Sequence, residues 1–73
     1  MKICSSNGCY IYEFGSAWIK HSSNYATIYV RDFGTSLGAP VGEYCNVARA
    51  KGVLFDMMHA YKNKESIFYM PKE

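Results

Sequence analysis

The stretch YATIYVRDF at residues 25–33 says most about the fold. β-Branched and aromatic side chains favour strands because they pack well on a pleated surface. Because side chains alternate across a strand, one face should carry Ala26, Ile28 and Val30, and the other Tyr25, Thr27, Tyr29, Arg31 and Phe33. The small aliphatic face suits a packed helix. We therefore expect a central strand in a sheet that a helix covers on one side.

A single helix is predicted after this strand. Asn46 is a suitable N-cap, because its side-chain oxygen accepts a hydrogen bond from the first turn. The second half of a capping box is missing, so Asn46 must serve alone or Cys45 must substitute weakly. The helix should end near Asn63. Helical spacing places six apolar residues on the stripe expected to pack on the sheet: Val47, Ala50, Leu54, Met57, Met58 and Tyr61.

Shorter signals complete the predicted architecture. Asn7-Gly8 predicts a two-residue hairpin turn, with positive φ at both positions, between strands at residues 3–6 and 9–14. Residues 17–21 predict a third strand, and the glycines from Gly34 to Gly42 predict a loop that leads into an extended piece at 41–44. A last strand at 67–70 stops at Pro71. We expect one α+β domain over residues 1–73, an antiparallel sheet of five or six strands with one helix on one face.

Composition limits the class of protein. The chain has 73 residues, of which 49% are hydrophobic and 19% charged, so it should fold as one domain. A core of this size stabilises the folded state only weakly, and self-association is one way to add to that stability. The net charge of +2 is spread along the chain, which does not favour nucleic acid. The absence of a long apolar run and the odd number of cysteines favour a cytoplasmic protein without membrane association.

Metal binding and catalysis are not expected. Cys4, Cys9, Cys45, His21 and His59 are the natural zinc ligands, but they show no Cys-x-x-Cys pair. In the predicted hairpin Cys4 faces Ile11 and Cys9 faces Ser6, so the two thiols are diagonal and fit small, partly buried hydrophobes. We predict no metal and no cofactor.

A nucleophilic cysteine would need activation and an oriented base. Cys45, at the predicted helix N-terminus, is the thiol best placed for activation, but no third orienting group is evident. The glycines at 34, 38 and 42 lack the Lys-Ser/Thr of a phosphate loop and are interpreted as turn residues. We therefore predict that the protein is not an enzyme.

The predicted outer face of the sheet is the first candidate binding surface. Aromatic rings next to Arg and Lys stack on bases, neutralise phosphates or anchor a protein partner. The alternative is that these rings only cover the second face of a thin sheet. The candidate partner-binding residues are Tyr10, Tyr12, Trp18, Lys20, Tyr29 and Arg31.

A flank of the helix is the second candidate surface. Ala48, Gly52, Phe55 and His59 lie together there, away from the core stripe. Glycine inside a helix costs about 1 kcal/mol relative to alanine, and close approach of a second copy would explain it. We predict that these residues form a homo-oligomer interface, the alternative being a tolerated surface glycine beside one exposed phenylalanine.

Three segments carry a resemblance to a known group of proteins. They are Val41-Gly42-Glu43-Tyr44, Arg49-Ala50-Lys51 with Val53-Leu54, and Ile67-Phe68-Tyr69-Met70-Pro71. With the Met1-Lys2-Ile3 start, the chain resembles small orphan proteins encoded by phages and prophages of Gram-positive bacteria. At the helix start it departs from them, with Cys45-Asn46-Val47-Ala48 where they usually place serine followed by acidic residues.

The resemblance implies an accessory factor that acts in the cytoplasm of a bacterial host. Such proteins bind host machinery or antagonise defence systems, and they include anti-CRISPR proteins and sponges for cyclic-nucleotide signals. We expect a protein that binds and inhibits a host or defence-system protein without catalysis. Two alternatives stay open: an oligomeric sponge that sequesters a nucleotide immune signal, and a weak nucleic-acid-binding protein.

Overall fold

The strands and the helix follow one another in the predicted order. The computed structural model describes residues 1–8, 10–31 and 38–72. The elements are β1 (Lys2–Cys4), β2 (Ile11–Glu13), β3 (Ser16–His21), β4 (Ala26–Arg31), β5 (Gly38–Tyr44), α1 (Val47–Lys62) and β6 (Ile67–Tyr69). The α+β class is therefore confirmed, with five strands before the helix and one after it.

The strands form two sheets, so the prediction of a single five- or six-stranded sheet is wrong. The first sheet has the order β2-β1-β6 and the second has the order β3-β4-β5. In the first, Ile3 lies opposite Tyr12 in an antiparallel pair and opposite Phe68 in a parallel pair. The parallel pairing of β1 with β6 joins the two ends of the chain, and no local sequence signal specifies such a pairing.

The second sheet is antiparallel, with β4 in the centre as predicted. Ala26, Ile28 and Val30 are buried, and α1 packs against all three strands. The predicted loop from Gly34 to Gly42 is wrong for Gly38 onward, because these residues belong to β5. The register of β4 against β5 shifts between Ile28, which lies opposite Gly42, and Tyr29, which lies opposite Pro40. Gly34 itself, like Phe33, lies outside the described residues.

The first hairpin has the predicted register but a different turn. Cys4 lies opposite Ile11, as expected from the Asn7-Gly8 signal. The turn is closed earlier, by the Gly8 N–H donating to the Ser5 carbonyl oxygen at 2.9 Å. Of the two turn residues only Gly8 has a positive φ, 75°. The pairing predicted for Cys9 lies outside the described residues.

Both ends of α1 have a defined cap. The Arg49 N–H donates to Asn46 Oδ1 at 2.8 Å, so Asn46 is the N-cap as predicted. At the other end the Glu65 N–H donates to the Ala60 carbonyl oxygen and the Lys64 N–H to the Tyr61 carbonyl oxygen. These are the two bonds of a Schellman motif. Lys64 occupies the position that glycine usually takes, with a φ of 61°.

The core lies between the helix and the sheets. Ala50, Val53 and Met57 are the fully buried helix residues, with Val47 and Leu54 packed beside them. The predicted stripe is therefore wrong for Met58 and Tyr61, which are 59% and 53% exposed. The helix meets the sheet through a face that includes Val53, which lies about 140° around the helix axis from Met58. The remaining buried apolar residues are Ile3, Ala26, Ile28, Val30, Val41, Tyr44 and Met70.

Candidate functional site

The outer face of the second sheet carries three rows of residues that run across β3, β4 and β5. The middle row is Trp18, Tyr29 and Pro40. On one side of it lie Lys20, Thr27 and Glu43, and on the other lie Ser16, Arg31 and Gly38. This face points away from Ala26, Ile28 and Val30, whose side chains meet the helix. The strand register thus places an aromatic row between two cationic side chains.

Trp18, Tyr29 and Arg31 form a compact cluster on this face, which we call the aromatic–arginine cluster. The two rings are nearly parallel, with an interplanar angle of 10° and centroids 5.8 Å apart. The Arg31 guanidinium carbon lies over the indole, 5.4 Å from its centroid. A cation over an aromatic ring is attracted by the ring quadrupole. The sequence predicted that these three side chains lie together, and the structure places them in contact.

The six predicted partner-binding residues do not form one continuous set. Lys20 is exposed next to Trp18 on β3, on the same face as the cluster. Tyr10 and Tyr12 belong to the segment around β2, in the other sheet, with ring centroids 6.2 Å apart. Tyr12 packs against the core beside Ile3. The expectation that both tyrosines extend the cluster assumed a single sheet, whereas the structure has two. Their part in partner binding stays a prediction.

The predicted oligomer flank is exposed. Ala48, Gly52, Phe55 and His59 are all accessible, and the Phe55 and His59 rings lie with centroids 4.5 Å apart. Apart from the neighbouring residues and the backbone of the helix itself, no described atom lies within 4 Å of the position that a Cβ on Gly52 would occupy. No contact with another described part of the chain therefore accounts for the glycine. The interface itself stays a prediction.

An apolar groove beside the helix was not predicted from the sequence. It has a volume of about 420 Å³ and is lined by Phe14, Phe55, Met58, His59, Tyr61 and Lys62. Phe14 lies between β2 and β3, and its ring centroid is 5.1 Å from that of Tyr61. Phe55, Met58 and Tyr61 are 60%, 59% and 53% exposed. Their spacing of three residues was the available signal, but the sequence assigned Met58 and Tyr61 to the core.

The groove continues into a more polar cavity at the end of the helix. The second cavity shares Tyr61 and Lys62 with the groove and is also lined by Lys64 and Glu65. Lys62 is in the last turn of the helix, and Lys64 is the left-handed residue of the C-terminal cap. The surface therefore changes from apolar to basic along the groove.

The thiols and histidines are dispersed. Cys4 is half-buried in β1 and Cys45 is exposed, and both are free thiols. The described residues contain no group of three or more His, Cys, Asp or Glu side chains able to hold a metal ion. Asn46 Nδ2 donates to Cys45 Sγ at 3.4 Å, and Asn46 Oδ1 is used as the helix cap. Cys9 lies outside the described residues.

Tyr44 of β5 contacts the segment that follows β6 through a buried hydroxyl. Its side chain is 2% exposed, and the hydroxyl donates to the Pro71 carbonyl oxygen at 2.7 Å. Burial raises the pKa of Tyr44 above its ordinary value of 10.0, while the nearby Arg49 guanidinium acts in the opposite direction. This tyrosine holds the C-terminal segment against β5, and its role is structural.

Comparisons with protein-family models, with curated proteins and with solved structures found no match for this chain. Among the described residues no helix is long and apolar enough to cross a bilayer.

Proposed function

We propose that this protein is a non-catalytic binding protein that attaches to a protein partner through the aromatic–arginine cluster and blocks that partner. The observation that carries the proposal is the contact of Trp18 with both Tyr29 and Arg31 on the sheet face opposite the helix. Each side chain restricts its neighbours before binding. Preorganised rings lose little conformational entropy in a complex, which is why such residues serve as interface anchors.

The geometry favours a protein partner over a nucleotide. Stacking a base requires a free ring face, and the indole of Trp18 is already in contact with Tyr29 and Arg31 and packs against Gly38. A guanidinium over a ring keeps its in-plane N–H donors available for a carboxylate. Within the described residues, no carboxylate is paired with Arg31. An acidic side chain of a partner is thus the group that fits beside the cluster.

The biological setting of the proposal rests on the resemblance described above. The segments around Val41, Arg49 and Phe68 are the ones in which this chain resembles small orphan phage and prophage proteins. We therefore propose that the partner is a host or defence-system protein in the bacterial cytoplasm, and that binding inhibits it.

The test is inhibition and capture with matched variants. The protein is expressed in a Gram-positive host that carries a defence system, and phage plaque formation is counted for the unmodified protein, for Arg31→Ala and for Lys51→Ala. Lys51 is an exposed helix residue outside the cluster, so it serves as the charge-matched control. The proposal predicts that the unmodified protein and Lys51→Ala restore plaque formation and that Arg31→Ala does not. It also predicts that the unmodified protein and Lys51→Ala capture one host protein that Arg31→Ala fails to capture.

The two alternative functions give different results in the same series. A nucleotide sponge would be stabilised against heat by cyclic nucleotides and would capture no protein. A nucleic-acid-binding protein would retain DNA or RNA with an affinity that falls steeply with salt. Either result would overturn the proposal of a protein partner.

A further inference from the structure

We propose that the apolar groove beside α1 is a second binding surface, and that it takes an acidic peptide segment with an aromatic or aliphatic anchor. Such a segment would belong to a protein partner. The groove lies on the helix side of the second sheet, whereas the aromatic–arginine cluster lies on the opposite face. The inference is therefore independent of the proposed function, and either surface can fail its test without the other.

The walls of the groove select an apolar anchor. Phe14, Phe55, Met58 and Tyr61 supply most of the lining, and the helix presents three of them more than half exposed. Neighbouring apolar side chains exposed to this degree on a small protein mark an interaction surface more often than scattered single residues do. Because the walls are so exposed, a small molecule would stay largely in solvent, whereas ligand sites bury most of their ligand. A peptide segment that lies along the helix covers the walls and places one large side chain over Met58.

The charge around the groove selects an acidic segment. The residues with polar groups that line it are His59, Tyr61 and Lys62, and the adjoining cavity adds Met1 and Lys64, with Glu65 as the single acid of the two linings. A carboxylate located next to the anchor would lie near these ammonium groups. A second copy of the chain fits less well, because a symmetric pairing centred on the groove would bring the basic end of each copy close to its twin.

Lys64 adds an independent reason for a basic end. It occupies the C-terminal cap of the helix with a φ of 61°, where an L side chain is strained and glycine is favoured. Glycine would be more stable at this position, yet the chain has a lysine there, with its side chain lining the cavity that continues the groove. A residue that is unfavourable for folding and suitably charged for binding is expected at a functional surface.

The experiment uses three fluorescein-labelled synthetic peptides of about twelve residues with the full-length protein. The first has a central Phe-Leu pair flanked by glutamates, the second replaces the glutamates by lysines, and the third replaces Phe and Leu by alanines. Fluorescence anisotropy should show binding of the first peptide at least tenfold tighter than of the other two, and this binding should weaken with salt. Equal binding of the acidic and basic peptides, or no binding of the first, would overturn the proposal.

Protein variants separate the groove from the rest of the surface. The affinity for the first peptide should fall at least threefold in each of three variants, Met58→Glu, Lys62→Gln and Lys64→Gly. It should stay unchanged in Lys51→Gln, because Lys51 is on the same helix but outside the lining. Lys64→Gly should also raise the melting temperature, so its loss of binding would not reflect unfolding. An effect of Lys51→Gln as large as that of Lys62→Gln would refute the site. So would sedimentation of the unmodified protein as a dimer that Met58→Glu dissociates, because a second copy would then fill the groove.

Discussion

The indole ring of Trp18 occupies the space that a side chain on Gly38 would need. The two residues lie on the outer strands of the second sheet, so the ring reaches across β4 to rest against β5. Tyr29 and Arg31 of β4 contact the same ring and fix its position. The close approach of ring and backbone explains a glycine at the first residue of β5.

Gly38→Ala should therefore displace the indole and lower the free energy of unfolding by about 1–3 kcal/mol, the usual range for overpacking. Trp18 is the single tryptophan of the chain, so its fluorescence reports the change directly. We expect a shifted emission maximum and a lower midpoint of chemical denaturation. Unchanged emission together with unchanged stability would show that the indole does not depend on Gly38.

In dilute solution, before any self-association, Gly52→Ala should have the opposite effect. Gly52 is in the interior of α1, and outside the backbone of its own helix and its two neighbours no described atom lies within 4 Å of the place that a methyl group on this residue would take. Alanine should raise the free energy of unfolding by about 1 kcal/mol, because glycine loses more backbone entropy in a helix. Chemical denaturation of Gly52→Ala beside Gly38→Ala measures both signs in one experiment. Destabilisation by Gly52→Ala would mean that the position is crowded in solution, as in an assembly.

Self-association through Ala48, Gly52, Phe55 and His59 would compete with peptide binding, because Phe55 and His59 also line the groove. It is tested by a larger side chain. Gly52→Leu should prevent close packing of two helices and shift the protein toward monomer, although leucine favours the helix. Sedimentation velocity over a range of concentrations measures the shift, with Lys51→Leu as the control on the same helix. A monomer at high concentration before any substitution would end the idea.

Local signals predicted the elements that local interactions determine. The Asn46 cap, the end of α1 at Lys62 and the central position of β4 follow from side chains within a few residues of each other. The pairing of Ile3 with Phe68 joins distant parts of the chain, and the sequence offered no sign of it. The sequence predicts a turn residue at Gly38. The ring that covers this glycine belongs to Trp18, twenty positions earlier in the sequence, so no neighbouring residue indicates the contact. The cluster was predictable from alternation along β4, whereas the groove needed the position of Phe14 against the helix.

Tyr44 should make the stability of the protein depend on high pH. Because burial raises its pKa above 10.0, the folded state holds the hydroxyl proton more tightly than the unfolded state does. The stability that this provides is fully present below pH 10 and is lost as the pH rises through the raised pKa. Tyr44→Phe removes the hydrogen bond to Pro71, which should cost about 0.5–1.5 kcal/mol at neutral pH.

The measurement for Tyr44 is the free energy of unfolding as a function of pH, in the unmodified protein and in two variants. The difference between the unmodified protein and Tyr44→Phe should shrink above pH 10. Tyr69→Phe is the control, because Tyr69 is 68% exposed. The same change in slope for both variants would mean that the buried hydroxyl is not responsible.

Arg31 and Tyr29 should each contribute more than about 1 kcal/mol to partner binding, as interface anchors do. The rings provide contact area at a small entropic cost, and the guanidinium offers a planar set of donors that matches a carboxylate. Arg31→Ala and Tyr29→Ala should each weaken binding of the captured host protein at least fivefold by titration. Arg31→Lys should weaken it as well, since lysine lacks the planar donors, whereas Tyr29→Phe should bind nearly normally because it keeps the ring stack.

Stability must be measured beside affinity, because Tyr29→Ala also removes a ring contact worth about 0.5–1.5 kcal/mol. If both alanine variants unfold, or if both folded variants keep full binding, the cluster is structural cover for the sheet and the partner binds elsewhere.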